Sequence, residues 1–454
     1  MHRTTLPPPD TTCEHHQGGQ HQQQKKPKCA KPTPGGALGG CAFDGAQIVL
    51  LPIADAAHLI HSPATCVGNS WNNRGTRSSH SAMYRQGFTT DLTEMDIIMG
   101  AEQKLLQAAL ELAQRFAPPA IFIYSTCVSA MTGEDIGAVA AEVGRQTGIP
   151  VIPVDSPGFV GSKNYGNKIA GQVLLEHVIG TATPPHTTDT DVAIIADYNI
   201  AGELWRIEPL LERAGIRLLS RITGDATYAE VAWAHYARAN MVVCSRALVD
   251  MARQLEAKHG IPYFEGSFYG MQATSDALRT MARMLKVPEI QQQVEAVIAS
   301  EEARTRAALA PYLPFLKDKK VFVYSGGVKS WSMVFQLEEL GMEVVGSGIR
   351  KSSEEDIERL RIHFEGTQKI MLEKGDGAMM LELLEREGAD VFIAGSRNMF
   401  TAMKGRYPYV DVNQERIFSY AGYDGLVELA RQLYHTMTSP VFDVARTTAP
   451  WESP

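Results

Sequence analysis

Between residue 46 and residue 395 the chain repeatedly interleaves short, unbroken apolar runs with longer amphipathic stretches. The runs are AQIVLLPI (46–53), AIFIY (120–124), VIPVD (151–155), VAIIAD (192–197), IRLLS (216–220), MVVC (241–244), VFVYS (321–325), MEVVG (342–346) and VFIAG (391–395). A strand with one wet face alternates apolar and polar residues; a strand covered on both faces does not. The runs therefore read as buried parallel strands. EDIGAVAAEVGRQTG (134–148) and SWSMVFQLEELG (330–341) read as helices between them. Strand–helix alternation of this kind points to doubly wound, Rossmann-like α/β domains.

At 454 residues the chain is too long for one core. Two polar, proline-bearing segments, TATPPHTTDTD (181–191) and APYLPFLKDKK (310–320), suggest boundaries. The expected organisation is three α/β domains, 41–185, 190–315 and 318–454. Residues 1–40 are rich in Gln, His, Lys, Pro and Gly and nearly lack large apolar side chains. Such a segment cannot bury enough surface to offset its ordering entropy, so a disordered arm is expected. The net charge of −8 argues against a general nucleic-acid or membrane-surface binder. No run approaches a transmembrane span and no signal peptide opens the chain, so a cytoplasmic protein is expected.

In a doubly wound sheet, ligands collect at the carboxyl ends of the strands. Cys127 follows AIFIYST there, and Cys244 closes MVVC. Cys41 and Cys66 lie in loop-like contexts, GGCAFDG and HSPATCVGNS. Six cysteines this scattered do not make a disulfide scaffold. Thiolates are the ligands of iron–sulfur clusters, and a four-iron cluster takes four. Cys41, Cys66 and Cys127 could supply three of them; the plain alternative is three packed core cysteines. Zinc fits less well, because no C-x-x-C or paired-histidine knuckle occurs at these positions.

Positive charge is placed where an anion could sit. Lys163 and Lys168 lie in the glycine-spaced segment 161–171, Lys329 follows Gly326-Gly327, and Arg74 and Arg77 lie near Cys66. Helix entries with nearby lysines favour anions, although ordinary helix starts look the same. His58 and His61 stand at the i, i+3 spacing of helical metal ligands, a pattern more often met in satisfied histidines. Cys13, His15, His16, His21 and Cys29 make the arm metal-capable, with a solvated tail as the simpler reading. No G-x-S-x-G elbow and no Walker A sequence occurs.

Taken together, these residues resemble the α-subunit family of the nitrogenase molybdenum–iron component and its relatives, over essentially Cys41 to Trp451. The blocks that carry the resemblance are Cys41, Cys66 and Cys127 with DVAIIADYNIAGE (191–203), IPYFEGSFYG (261–270), KKVFVYSGGVKSW (319–331) and GYDG (422–425). The resemblance implies three domains around a shared cluster cleft. It also implies a [4Fe–4S] cluster on Cys41, Cys66 and Cys127, completed by a thiolate of a β-type subunit at the subunit interface. Cys244 matches the family's cofactor-anchoring cysteine, and Arg74 its pocket arginine.

The departures matter as much. Catalytic members carry a histidine metal ligand ahead of the G-[YF]-D-G block. Here Ala421 stands directly before that block, and Asn413 is the nearest polar candidate. The catalytic Gln and His of the glycine-spaced segment become Lys163 and Asn167, and an arginine after the Gly-Gly pair becomes Lys329. An imidazole would hold the far metal of a finished cluster tightly. Replacing it with a weak ligand suits a site that holds a cluster and then gives it up.

The resemblance thus implies an assembly scaffold for the iron–molybdenum cofactor. Its cofactor-binding set would be Cys244, Arg74, Lys163, Asn167, Lys329 and Asn413. A NifN-type β subunit would complete an α2β2 heterotetramer. NifB would donate an eight-iron precursor, the NifH iron protein would bring molybdenum and homocitrate, and the nitrogenase molybdenum–iron protein would be the acceptor. The arm, through Cys13 or Cys29, would help capture incoming cluster. The alternatives are a catalytic α-type subunit of a nitrogenase-like reductase and a metal-free interaction protein of the same fold.

Overall fold

The computed structural model describes residues 40–72, 77–80, 83–243, 245–325, 329–349, 352, 354–373, 375–413 and 416–447. The disordered arm expected at 1–40 lies almost wholly outside them. Chain contacts divide the molecule into two compact units. The first holds residues up to Ile48, His58–Gly68 and Gly87–Val173; the second holds Val49–Ala57, Asn69–Gln86 and the chain from Leu174 onward.

The first unit carries a four-stranded sheet of β1 (Ala57–His61), β2 (Phe88–Thr89), β3 (Ile121–Ser125) and β4 (Val151–Val154), in the order β2-β1-β3-β4. The β1–β2 and β3–β4 pairs are parallel. Ile121, Phe122 and Ile123 have no solvent exposure. Burying side chains of this size stabilises by about 1.5–3 kcal/mol each. The helix Ile136–Thr147 between β3 and β4 is capped by Asp135, whose carboxylate accepts the Ala138 N–H, and ends at Gly148 with φ of 71°.

The second unit carries two more parallel sheets. One runs β6-β5-β7-β8, from β5 (Asp191–Asp197), β6 (Arg217–Thr223), β7 (Ala239–Val242) and β8 (Tyr263–Glu265). The other runs β11-β10-β9-β12-β13, from β9 (Lys320–Tyr324), β10 (Glu343–Gly348), β11 (Ile370–Leu372), β12 (Val391–Ala394) and β13 (Tyr409–Asp411). The paired strands of both sheets run parallel. The α/β, parallel-sheet expectation is met.

Two local expectations are corrected. AQIVLLPI is not a strand: Ala42–Leu50 is a helix. Periodicity cannot separate a buried helix from a buried strand over so few residues. The deciding contact is with the helix Lys163–His177. A Cβ on Gly45 would lie 1.9 Å from the Lys163 carbonyl oxygen, and one on Gly166 would lie 1.9 Å from that of Ala42. Two glycines thus let two helix backbones touch. His58 and His61 are not on a helix either. They lie on β1, where a spacing of three puts them on opposite faces.

Candidate metal centre

Each of the three cysteines of the first unit is set by a different local device. Cys41 pairs with Ser162 as an isolated antiparallel bridge, and the Ala42 N–H donates to the Gly161 carbonyl at 3.0 Å. Cys66 lies in the first turn of the helix Ala64–Asn72. Cys127 opens the helix Cys127–Thr132 directly beyond the carboxyl end of β3. Thr126 steadies that start: its N–H donates to Ser129 Oγ at 2.9 Å and its hydroxyl to the His61 carbonyl at 3.1 Å.

The fold brings the three thiols together. All are free of disulfides and half-buried. The position a Cβ on Gly158 would occupy lies 2.9 Å from Cys127 Sγ and 3.2 Å from Cys41 Sγ. Burial pushes the Cys66 thiol up from its ordinary value, and the neighbouring charges of Cys127 and Cys41 push it further. Burial also raises Cys41; the Asp44 backbone N–H opposes the rise, while the Asp44 carboxylate and Cys127 add to it. Two thiols made harder to ionise by burial and by their neighbours are a poor set for metal-free thiolates. Cationic irons invert that logic. Among the described residues, no three His, Cys, Asp or Glu side chains close around one metal ion. A four-iron cluster asks for something different, one thiolate per iron, with its ligands set apart. The donor set fits a cluster on this ground.

A buried pair supports two of these cysteines from behind. His61 Nδ1 is hydrogen-bonded to Thr90 Oγ1 at 2.9 Å, and its Nε2 pairs with Glu134. The other Glu134 oxygen accepts the Ala101 N–H at 3.0 Å. His61 lies five residues before Cys66, and its carbonyl caps the Cys127 helix through Thr126. Burial lowers the His61 pKa from its ordinary value, against the pull of Glu134.

The remaining candidates are distributed as follows. Lys163 is the first residue of its helix, with Nζ 4.0 Å from Asp44, so part of its charge is already met. Asn167 is buried on the same helix, and its Oδ1 has no hydrogen-bond partner. Both belong to the first unit. In the second unit, Asn413 follows β13 and its Nδ2 lies 2.8 Å from where a Gly395 Cβ would stand. Ala421 is 1% exposed, packs into the apolar core of the β5 sheet and bridges to Tyr269. Between the two positions, Asn413 is the one at a carboxyl strand end. Lys329 opens the helix Lys329–Glu339, and its side chain lies outside the described set. Cys244 and Arg74 lie outside the described residues. Arg77 is spent on the protein itself. Its N–H donates to the Asn199 carbonyl at 3.0 Å and its Nη2 to the Ile417 carbonyl at 3.1 Å.

Sequence reading missed three features: Gly158, the His61–Glu134 pair, and an ion pair between Glu203 and Arg416. A proline–glycine step at 157–158 was the only available hint of the first. The ion pair joins residues 213 apart, a separation that leaves no spacing signal.

A family model described as nitrogenase component 1 type oxidoreductase matches residues 41–438. The nitrogenase iron-molybdenum cofactor biosynthesis protein NifE of Nostoc sp. (strain PCC 7120) is 51% identical over 419 residues, covering 92% of this chain and 87% of that protein. The protein of the same name from Klebsiella pneumoniae is 50% identical over 436 residues, covering 94% and 95%. A solved structure titled nitrogenase Cp1 at pH 5 superposes with a TM-score of 0.83 at 28% identity, covering 91% of this chain and 90% of that one.

Proposed function

The chain belongs to the nitrogenase component 1 type oxidoreductase family, and from that premise we propose that it is a scaffold subunit for building the iron–molybdenum cofactor. The observation that carries the reading is the pocket of three converging thiols in a chain half identical to NifE proteins along more than nine-tenths of its length. Cys41, Cys66 and Cys127 hold a resident [4Fe–4S] cluster, and a NifN-type β subunit supplies the fourth thiolate. When bound, that cluster supplies one-electron transfer. The chain's own part is to keep the sulfurs converged, with Gly158 leaving them room and His61–Glu134 bracing the Cys66 and Cys127 segments.

The cargo is an eight-iron precursor, received from NifB and completed with molybdenum and homocitrate through NifH before transfer to the molybdenum–iron protein. Cys244 anchors it, with Arg74, Lys163, Asn167, Lys329 and Asn413 around it. The orphaned buried Oδ1 of Asn167 supports that residue's place. An amide in place of a histidine ligand suits release. The complex is an α2β2 heterotetramer in the cytoplasm; among the described residues no helix is long and apolar enough to cross a membrane. The domain limits 41–185, 190–315 and 318–454 belong to the same proposal, supported by one sheet falling within each.

Iron per αβ pair in the anaerobically co-purified complex tests the reading. About twelve irons without firmly held molybdenum are expected, four on the resident site and eight as cargo. Stoichiometric molybdenum with sustained dinitrogen reduction would instead identify a catalytic subunit. An iron-free, colourless complex would leave only an interaction protein.

A further inference from the structure

Arg416 and Glu203 are 5% and 1% exposed. Buried ion pairs add little to stability over well-packed apolar residues, so their presence calls for another account. Arg416 donates Nε to Glu203 Oε1 at 3.0 Å and pairs with it again through Nη2. Its Nη1 donates to the Asn413 carbonyl at 2.7 Å, and Nη2 also reaches the Tyr269 hydroxyl at 3.4 Å. The second Glu203 oxygen accepts the Ala201 N–H at 2.9 Å. Glu203 opens the helix Glu203–Arg213 that follows β5, while Asn413 follows β13. One guanidinium therefore ties the carboxyl edge of one sheet of the second unit to that of the other. Arg77 adds a stitch one residue further on, at the Ile417 carbonyl. A planar fork with several fixed donors can make these bonds together; an ammonium cannot.

We propose that Arg416 is a positioning residue: clamped by Glu203, it holds the Asn413 carbonyl and so sets the Asn413 amide in place for the iron–sulfur cargo. This rests on the scaffold reading. Arg416 touches the loop, not the cargo, and its effect passes through Asn413.

The test uses the co-purified complex with its β subunit. Arg416→Met alone strands a buried carboxylate and risks misfolding, so the main variant is the pair Glu203→Gln with Arg416→Met. It removes both charges and keeps an acceptor for Ala201. The expected result is unchanged melting and unchanged resident iron, with amides of Arg416–Tyr420 exchanging about tenfold faster. Cargo iron should be lost to the chelator bathophenanthroline about tenfold faster, as in Asn413→Ala, since local opening sets access. Arg416→Lys, which keeps the charge and loses the fork, should show the same faster exchange if the double variant does not fold.

Parental exchange rates in Arg416–Tyr420 would overturn the clamp. Faster exchange with a parental chelation half-time, or a parental half-time in Asn413→Ala, would overturn its link to the cargo. A parental complex with only about four irons would sink the scaffold reading instead. Amide exchange alone would then still decide whether Arg416 fixes this loop.

Discussion

The thiol pocket of the first unit and the clamped loop of the second are built on opposite principles. The pocket gathers three soft ligands and clears space for them with a glycine. The loop presents one weak amide and spends a buried ion pair to keep it still. A site dense in ligands holds its group through bonds. A site poor in ligands has to hold its group through geometry. The first suits a permanent resident, and the second suits cargo that must leave.

The largest effect should break the pocket. Cys127→Ala should remove the four-iron share of the iron count, because a cluster short of one thiolate loses its hold. Retention of full iron in that variant would dissolve the contrast between the two sites. Next comes the loop: Arg416→Met should cost about 3–5 kcal/mol by leaving a buried carboxylate unpaired. The Glu203→Gln, Arg416→Met pair should recover that loss in chemical denaturation. A third test sharpens the role of space. Gly158→Val places atoms against Cys127 and Cys41 and should lower resident iron while sparing the cargo. Equal loss of both would mean general misfolding.

A smaller effect is expected behind the pocket. Glu134→Gln keeps the shape but weakens the tie to His61, at about 1–3 kcal/mol. The smallest is a pH dependence. The folded His61 pKa lies below the ordinary 6.5 of the unfolded chain. The unfolded state therefore takes up the proton first as pH falls. Stability from this group is complete above that value and drains away as pH drops through it. Urea melts at several pH values should show the decline, and His61→Gln should flatten it.

Much of this was legible in the sequence, for physical reasons. Strands covered on both faces announce themselves as unbroken apolar runs, and eight of the nine runs read that way are strands. The ninth, 46–53, is helical as far as Leu50, where a glycine contact more than 110 residues away in sequence packs it against another helix. Edge strands such as β2 and β13 escaped because two or three residues carry no pattern. Cys41, Cys66 and Cys127 could be nominated from residue type and loop context; their convergence needed the fold. Arg416 could not be nominated at all. Its partner sits on another sheet's helix, and a lone arginine in NQERIF looks like any surface arginine until it is found buried.

The touching helices at Gly45 and Gly166 carry a consequence for anyone shuffling segments between relatives. Each glycine is required because the backbone of the other helix fills the place a Cβ would take, so the two sites form a single lock with two tumblers. A chimera whose breakpoint falls between Gly45 and Gly166 inherits the tumblers from different parents. If either parent carries alanine, the Cys41 turn and the Lys163 helix start are pushed apart together. Crossovers outside that interval move the lock intact, which makes the N-terminal third of the chain one unit of inheritance rather than a string of exchangeable parts.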